Sequence, residues 1–185
     1  GPRYEKLAAK IDNALDFMHA CGVADLRDLR EVDLYTSHEA LLLGYEQALT
    51  RQDSLTGDFY DCSAHMIWIG DRTRDLDGAH IEFFSGVKNP IGMKVGPTMQ
   101  EDELIKIIDR LNPENEEGRM TLISRFGHDK IEEMLPKLVK RVRDEGRNVL
   151  WSGDPMHGNT YTSSTKYKTR NFDHIASEVR SFFHV

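Results

Sequence analysis

The stretch from Asp154 to Thr160 carries the residue types best suited to chemistry. It reads Asp-Pro-Met-His-Gly-Asn-Thr and follows an apolar run, Asn148–Ser152, that predicts a short buried strand. Lys168 and Arg170 come soon after it. An acid, a histidine, an amide and two cations at a strand end indicate a site for a metal and an anionic substrate. His157 could ligate a metal or transfer a proton, or it could only hydrogen-bond its own loop.

Other predicted strands end in similar side chains. Lys94 lies between Met93 and Val95 inside an apolar strand, and burying an unpaired lysine is costly. Because the active site of parallel α/β folds lies at the carboxyl ends of the strands, we expect these residues to meet. Arg72 and Arg74 could instead pair with acids in a solvated loop. The full set of strand-end residues is His38, Glu39, Asp71, Arg72, Arg74, Lys94, Arg125, Asp154, His157, Lys168 and Arg170.

The elements that must position these residues alternate between strand and helix periods. After a leading helix that ends near Gly22, we predict five βα units and therefore a parallel sheet. Ser37 is predicted to cap the first helix after a strand. The pattern leaves a partial (β/α)8 barrel and a doubly wound open sheet as alternatives. The predicted strands are Val32–Thr36, Cys62–Gly70, Pro90–Val95, Met120–Ser124 and Val149–Trp151.

Composition limits the functional classes. The 185 residues, 39% hydrophobic and 30% charged, suit one globular domain over residues 1–185. A net charge of -7 disfavours a nucleic-acid partner. No apolar run is long enough to cross a membrane, and the first residues show no signal-peptide pattern. Two cysteines form neither a disulfide framework nor a zinc motif, so we expect a cytoplasmic protein.

Several longer motifs resemble the class II (plant-type) 3-deoxy-D-arabino-heptulosonate 7-phosphate (DAHP) synthases, the first enzymes of the shikimate pathway to aromatic amino acids. The resemblance extends from Gly1 to Val185, with the motifs in the same order. Asp71 stands where many relatives have glutamate. The matching motifs are Trp68–Arg74, Leu76–His80, Asn89–Pro97, Leu111–Asn115, Gly118–Leu122, Asp154–Thr160 and Lys168–Asp173.

The resemblance implies a (β/α)8 barrel that condenses phosphoenolpyruvate with erythrose 4-phosphate, using a divalent metal such as Mn²⁺ or Co²⁺. It assigns Arg72, Lys94 and Arg125 to phosphoenolpyruvate, with Trp68 and Asp71 lining the same site. His157 would be a metal ligand and a catalytic residue, and Lys168 a contact for the sugar phosphate. A separate hypothesis is that Lys94 is a catalytic residue that donates a proton. It also implies a homo-oligomeric enzyme.

Parts of the family pattern have no counterpart in these 185 residues. The resemblance places further metal ligands on an early cysteine and on a late glutamate and aspartate, and it places two strands upstream and one downstream. The chain is therefore expected to be the central part of a longer synthase and inactive alone. The alternatives are a non-catalytic module that binds phosphorylated metabolites or regulates a synthase, and an unrelated phosphosugar enzyme with a barrel fold.

Overall fold

The computed structural model describes residues 2–21 and 34–185. It divides into two compact units, Gly1–Leu34 and Tyr35–Val185. The first unit holds helix α1 (Pro2–Ala20), which confirms the predicted leading helix. In the described residues no helix has the length and hydropathy needed to cross a membrane.

The second unit is built on five parallel strands. They are β1 (Ser37–Glu39), β4 (Met66–Ile69), β5 (Ile91–Val95), β6 (Met120–Ser124) and β7 (Leu150–Gly153). Two antiparallel hairpins accompany the sheet: β2 (Thr50–Gln52) with β3 (Phe59–Asp61), and β8 (Thr160–Thr162) with β9 (Lys168–Arg170). The helices are α2 (Leu43–Leu49), α3 (Ala79–Ser85), α4 (Glu101–Leu111), α5 (Ile131–Asp144) and α6 (Phe172–His184).

Strand order decides between the two predicted sheet types. The order is β1-β4-β5-β6-β7, so each strand pairs with the next one along the chain in parallel register. A doubly wound sheet reverses its order at a switch point, and this sheet does not. Successive helices from α3 to α6 contact one another in a single layer. The fold is therefore a partial (β/α) barrel.

The core lies between β4–β6 and the helices. All five residues of β5 are buried, as expected of a strand covered on both faces. Helix α4 buries its predicted stripe of Leu104, Ile107, Ile108 and Leu111 and ends before Asn112. Asn171 caps α6 by accepting a hydrogen bond from the backbone N–H of Asp173 at 2.8 Å.

Two of the predicted elements are wrong. Ser37 caps no helix, because Ser37–Glu39 pairs with Met66–Trp68 as strand β1, and α2 begins only at Leu43. The predicted strand Val32–Thr36 falls partly outside the described residues, and its described part, from 34 to 36, is not a strand.

The buried face of α6 also differs from the prediction. The helical spacing of the sequence predicts that Phe172, Val179 and Phe183 pack inward, yet all three are exposed. Glu178 and Ser181 are buried instead. The reason lies in the hydrogen bonds that Glu178 accepts from two strand-end loops.

Candidate active site

The carboxyl ends of the parallel strands enclose a cavity of about 270 Å³. Strands β1, β4, β5, β6 and β7 each contribute to it, directly or through the loop that follows. This is the edge at which parallel α/β folds carry their active sites. The lining residues are Glu39, Trp68, Gly70, Asp71, Arg72, Lys94, Arg125 and His157.

Lys94 is held in the cavity by a carboxylate from a distant part of the chain. Its Nζ forms an ion pair with Asp154 Oδ2, and both side chains are largely buried. The same Nζ lies 4.7 Å from the centre of the Trp68 ring, within cation–π range. Gly92 makes room for the Trp68 side chain, since a Cβ there would lie 2.7 Å from Trp68 Cβ. The ammonium keeps further N–H donors for a ligand.

Asp154 also fixes the ring of His157. The distances from His157 Nδ1 to the two carboxylate oxygens are 2.7 and 2.9 Å. An ionised carboxylate only accepts hydrogen bonds, so Nδ1 carries the proton and Nε2 keeps its lone pair when the ring is neutral. Burial raises the pKa of Asp154, but hydrogen bonds from Lys94 and His157 outweigh burial and set that pKa at about 2. Asp154 therefore stays charged near neutral pH.

A second carboxylate, Asp71, orients the arginines. Arg125 donates from Nη1 to Asp71 Oδ2 at 2.8 Å, and Arg74 donates from Nε to Asp71 Oδ1 at 3.1 Å. Arg74 also pairs with Glu103. Arg74 therefore pairs with acids as the alternative interpretation expects, but its side chain is buried and not in a solvated loop. Arg72 instead lines the cavity and forms no ion pair with the described carboxylates.

The structure thus gathers six of the predicted site residues around one cavity: Trp68, Asp71, Arg72, Lys94, Arg125 and His157. Lys168 lies on the exposed hairpin β8–β9 and does not line the cavity. Arg170 of the same hairpin donates from Nε to the carbonyl of Met156 at 2.8 Å, so it braces the loop that carries His157.

Two carboxylates of the strand-end set, Glu39 and Asp154, have no role assigned by the family resemblance. Glu39 at the end of β1 lines the cavity, and its carboxylate lies 2.1 Å from where a Cβ of Gly70 would be. Its strand-end position was the available signal. Asp154 was visible in its motif, but its link to Lys94, 60 residues away in sequence, was not.

The geometry suits His157 as one metal ligand, but the described residues do not form a complete metal site. His157 Nε2 is available, and a histidine oriented by a carboxylate through its other nitrogen is a common metal-ligand arrangement. Among residues 2–21 and 34–185, no group of three or more His, Cys, Asp or Glu side chains could hold a metal ion.

Comparison with known proteins gives this cavity a context. The sequence matches the Class-II DAHP synthetase family over residues 1–185. The chain belongs to this family. It is 56% identical to a phospho-2-dehydro-3-deoxyheptonate aldolase of Streptomyces coelicolor and 53% identical to a probable chloroplastic one of Catharanthus roseus. It is 50% identical to another of Mycolicibacterium smegmatis.

These matches cover the whole chain but only part of each relative. The chain spans 41%, 38% and 41% of the three proteins, respectively. Family membership confirms the resemblance inferred from the motifs, and the parallel sheet agrees with the barrel that it implies.

Because Asp154 is stabilised in its charged form, the effect of replacing it on the free energy of unfolding should depend on pH. A lowered pKa in the folded state gives stability that is present above the unfolded pKa, near 4, and is lost as the pH falls toward 2. Asp154→Asn should lower the free energy of unfolding by about 2 kcal/mol at pH 7. Urea denaturation between pH 7 and pH 2 measures this difference, which should shrink below about pH 4.

Glu133→Gln is the matched control, because Glu133 is exposed and only loosely paired with Lys137. It should change the free energy of unfolding little at any pH. A difference between wild type and Asp154→Asn that stays constant down to pH 2 would contradict the assignment.

Proposed function

We propose that the chain forms the central part of a metal-dependent 3-deoxy-7-phosphoheptulonate synthase. This enzyme would condense phosphoenolpyruvate with erythrose 4-phosphate in the first step of the shikimate pathway. The observation that supports it best is the cavity, where Arg72, Lys94 and Arg125 meet beside His157. The 185 residues span about 40% of the relatives, so the proposed activity belongs to the longer protein and not to this segment alone.

The cavity cations suit an anion that carries a carboxylate and a phosphate together. Asp71 and Asp154 each occupy only part of the donor capacity of Arg125 and Lys94. The remaining N–H groups would make charge-assisted hydrogen bonds to phosphoenolpyruvate. Since the two carboxylates already fix the cations, binding would require little reordering of their side chains.

The reaction proposed is an aldol-type addition. Carbon 3 of phosphoenolpyruvate bonds to the aldehyde carbon of the sugar, whose oxygen takes up a proton. Water adds at carbon 2, and the phosphate leaves. Arg72 and Arg125 would orient phosphoenolpyruvate and offset its charge, while Lys94 would donate a proton from Nζ.

We assign His157 as one ligand of a divalent metal, with Mn²⁺ or Co²⁺ as the expected ions. When bound, such an ion would polarise the sugar aldehyde as a Lewis acid. Lys168 is assigned to the sugar phosphate because its motif, Lys168–Arg170, resembles that of the family.

The chain is proposed to be one incomplete domain, which other strands complete as a barrel. Strands β1 and β7 lie at the two open edges of the sheet. Next to β7, Leu150 of the strand and Phe172 and Phe183 of α6 expose apolar surface. An uncovered strand edge beside apolar side chains suits the packing of a further βα unit. We also expect the whole enzyme to be a cytoplasmic homo-oligomer.

The alternative is a non-catalytic module that binds phosphorylated metabolites or a full-length synthase. The observation that favours it is the lack of a complete metal-ligand set in the described residues. Activity measurements separate the two functions.

We predict that a full-length protein carrying this segment consumes phosphoenolpyruvate only with erythrose 4-phosphate and a divalent metal. The isolated 185 residues should show no turnover, because the metal-ligand set is incomplete. Loss of the ultraviolet absorbance of phosphoenolpyruvate measures the activity of both proteins. An inactive full-length protein that still binds phosphoenolpyruvate would support the alternative.

Removing the Arg125 guanidinium should weaken binding of the phosphorylated ligand most. In the full-length protein, Arg125→Ala should raise the dissociation constant of phosphoenolpyruvate by about tenfold or more, and that of pyruvate less. Isothermal titration calorimetry measures both ligands. Arg143→Ala, on the exposed face of α5, is the control and should change neither. Equal binding of both ligands by the wild type would rule out a pocket that recognises phosphate.

Replacing Lys94 tests its role as a proton donor. Lys94→Arg keeps the positive charge, but an arginine does not release a proton near neutral pH. Turnover should therefore fall by about 100-fold, while the dissociation constant of phosphoenolpyruvate changes less. Steady-state kinetics with a parallel binding titration measures the two effects. Near-normal turnover in Lys94→Arg would reject the proton-donor role.

A further inference from the structure

Glu178 is a buried acid outside the cavity. It lies on the inward face of α6 and is 2% exposed, although glutamate is seldom fully buried without partners. Burial raises its pKa, and hydrogen bonds from Gly127, Phe126 and Asn159 act in the opposite direction. It does not line the cavity, and its hydrogen bonds connect it to the loops that carry the cavity residues.

The two oxygens of Glu178 bind two different loops. Oε1 accepts hydrogen bonds from the backbone N–H groups of Phe126 and Gly127, at 3.0 and 3.1 Å. Oε2 accepts one from Asn159 Nδ2 at 2.5 Å. Phe126 directly follows Arg125, and Asn159 lies two residues after His157. One carboxylate therefore joins the loop after β6 to the loop after β7.

The two loops also contact each other directly. A Cβ on Gly158 would lie 2.4 Å from the backbone nitrogen of Gly127, so only glycine permits this approach. Arg125 Nη2 donates to the carbonyl of His157 at 3.3 Å. With backbone so close on both sides, the loops have little freedom to slide.

We infer that Glu178 is a positioning residue that fixes the placement of Arg125 and His157 relative to each other. This inference rests on the proposed function, in which Arg125 binds phosphoenolpyruvate and His157 binds a metal. Mutation of a residue that holds a metal ligand in place commonly lowers metal affinity by about 10- to 100-fold.

The hydrogen-bond pattern allows the two links to be broken separately. Asn159 Oδ1 accepts from the backbone N–H of His128 at 3.0 Å, so its Nδ2 must face Glu178. In Glu178→Gln, the amide oxygen can keep the bonds to Phe126 and Gly127, but its NH₂ would oppose the NH₂ of Asn159. The link to the His157 loop is lost while the link to the Arg125 loop stays. Adding Asn159→Asp restores a donor–acceptor pair between positions 178 and 159, and it removes the bond from Asn159 Nδ2 to the Pro155 carbonyl.

The test uses a full-length protein carrying this segment, freed of metal. Electron paramagnetic resonance measures its affinity for Mn²⁺, calorimetry its affinity for phosphoenolpyruvate, and thermal denaturation its fold. Glu178→Gln should weaken Mn²⁺ binding about tenfold and phosphoenolpyruvate binding less than about twofold. The double variant Glu178→Gln with Asn159→Asp should recover most of the Mn²⁺ affinity.

Glu132→Gln is the control, because Glu132 also contacts α6, through Ser181 Oγ at 2.7 Å, but touches neither loop. It should leave both affinities unchanged. If Glu178→Gln does not fold, Asn159→Ala breaks the same bond from the loop side. It also removes the bonds of Asn159 to His128 and Pro155, so it should lose at least as much Mn²⁺ affinity.

The outcomes separate this inference from the proposed function. An active wild type together with wild-type Mn²⁺ affinity in a folded Glu178→Gln or Asn159→Ala variant would overturn the inference alone. Equal losses of both affinities, with no recovery in the double variant, would show general disruption and overturn it as well. A wild type that binds neither Mn²⁺ nor phosphoenolpyruvate would overturn both.

Discussion

The buried carboxylate of Asp154 is the contact on which the site depends most. It accepts from Lys94 on β5 and from His157 beyond β7, and so links the ends of two strands that are not neighbours in the sheet. Without it, Lys94 would be a buried cation without a counter-ion, which costs several kcal/mol. The His157 ring would also lose the hydrogen bond that fixes its tautomer. One charge therefore sets both the electrostatics and the geometry of the cavity.

The parallel sheet makes this contact possible. Strands in sequential order bring their carboxyl ends to one edge, so side chains far apart in sequence meet there. Two other carboxylates act in the same way as Asp154, because each accepts hydrogen bonds that hold a part of the site in place. Asp71 does this for Arg125, and Glu178 does it for the two loops. The cations are thereby ordered before any ligand arrives, which lowers the entropy cost of binding.

Much of this fold is predictable from local sequence, because β5 and β6 are apolar runs and α4 and α5 carry one apolar stripe each. Ser37 was misassigned because its extended state depends on pairing with Met66, 29 residues away. The two hairpins are largely polar and exposed, and they lack an apolar alternation that would reveal them. The cavity cations could be predicted from their strand-end positions and from the family motifs. Glu178 could not, because several apolar residues of α6 point outward and only the assembled fold shows that Glu178 faces inward.

We propose above all that the cavity at the strand ends holds phosphoenolpyruvate. A crystal structure of a full-length protein carrying this segment, with phosphoenolpyruvate bound, tests it most directly. The account predicts that the ligand's anionic groups lie within hydrogen-bond distance of Arg72, Lys94 and Arg125, with His157 at the adjoining wall. Phosphoenolpyruvate bound elsewhere, with Lys94 and Arg125 contacting only Asp154 and Asp71, would contradict it.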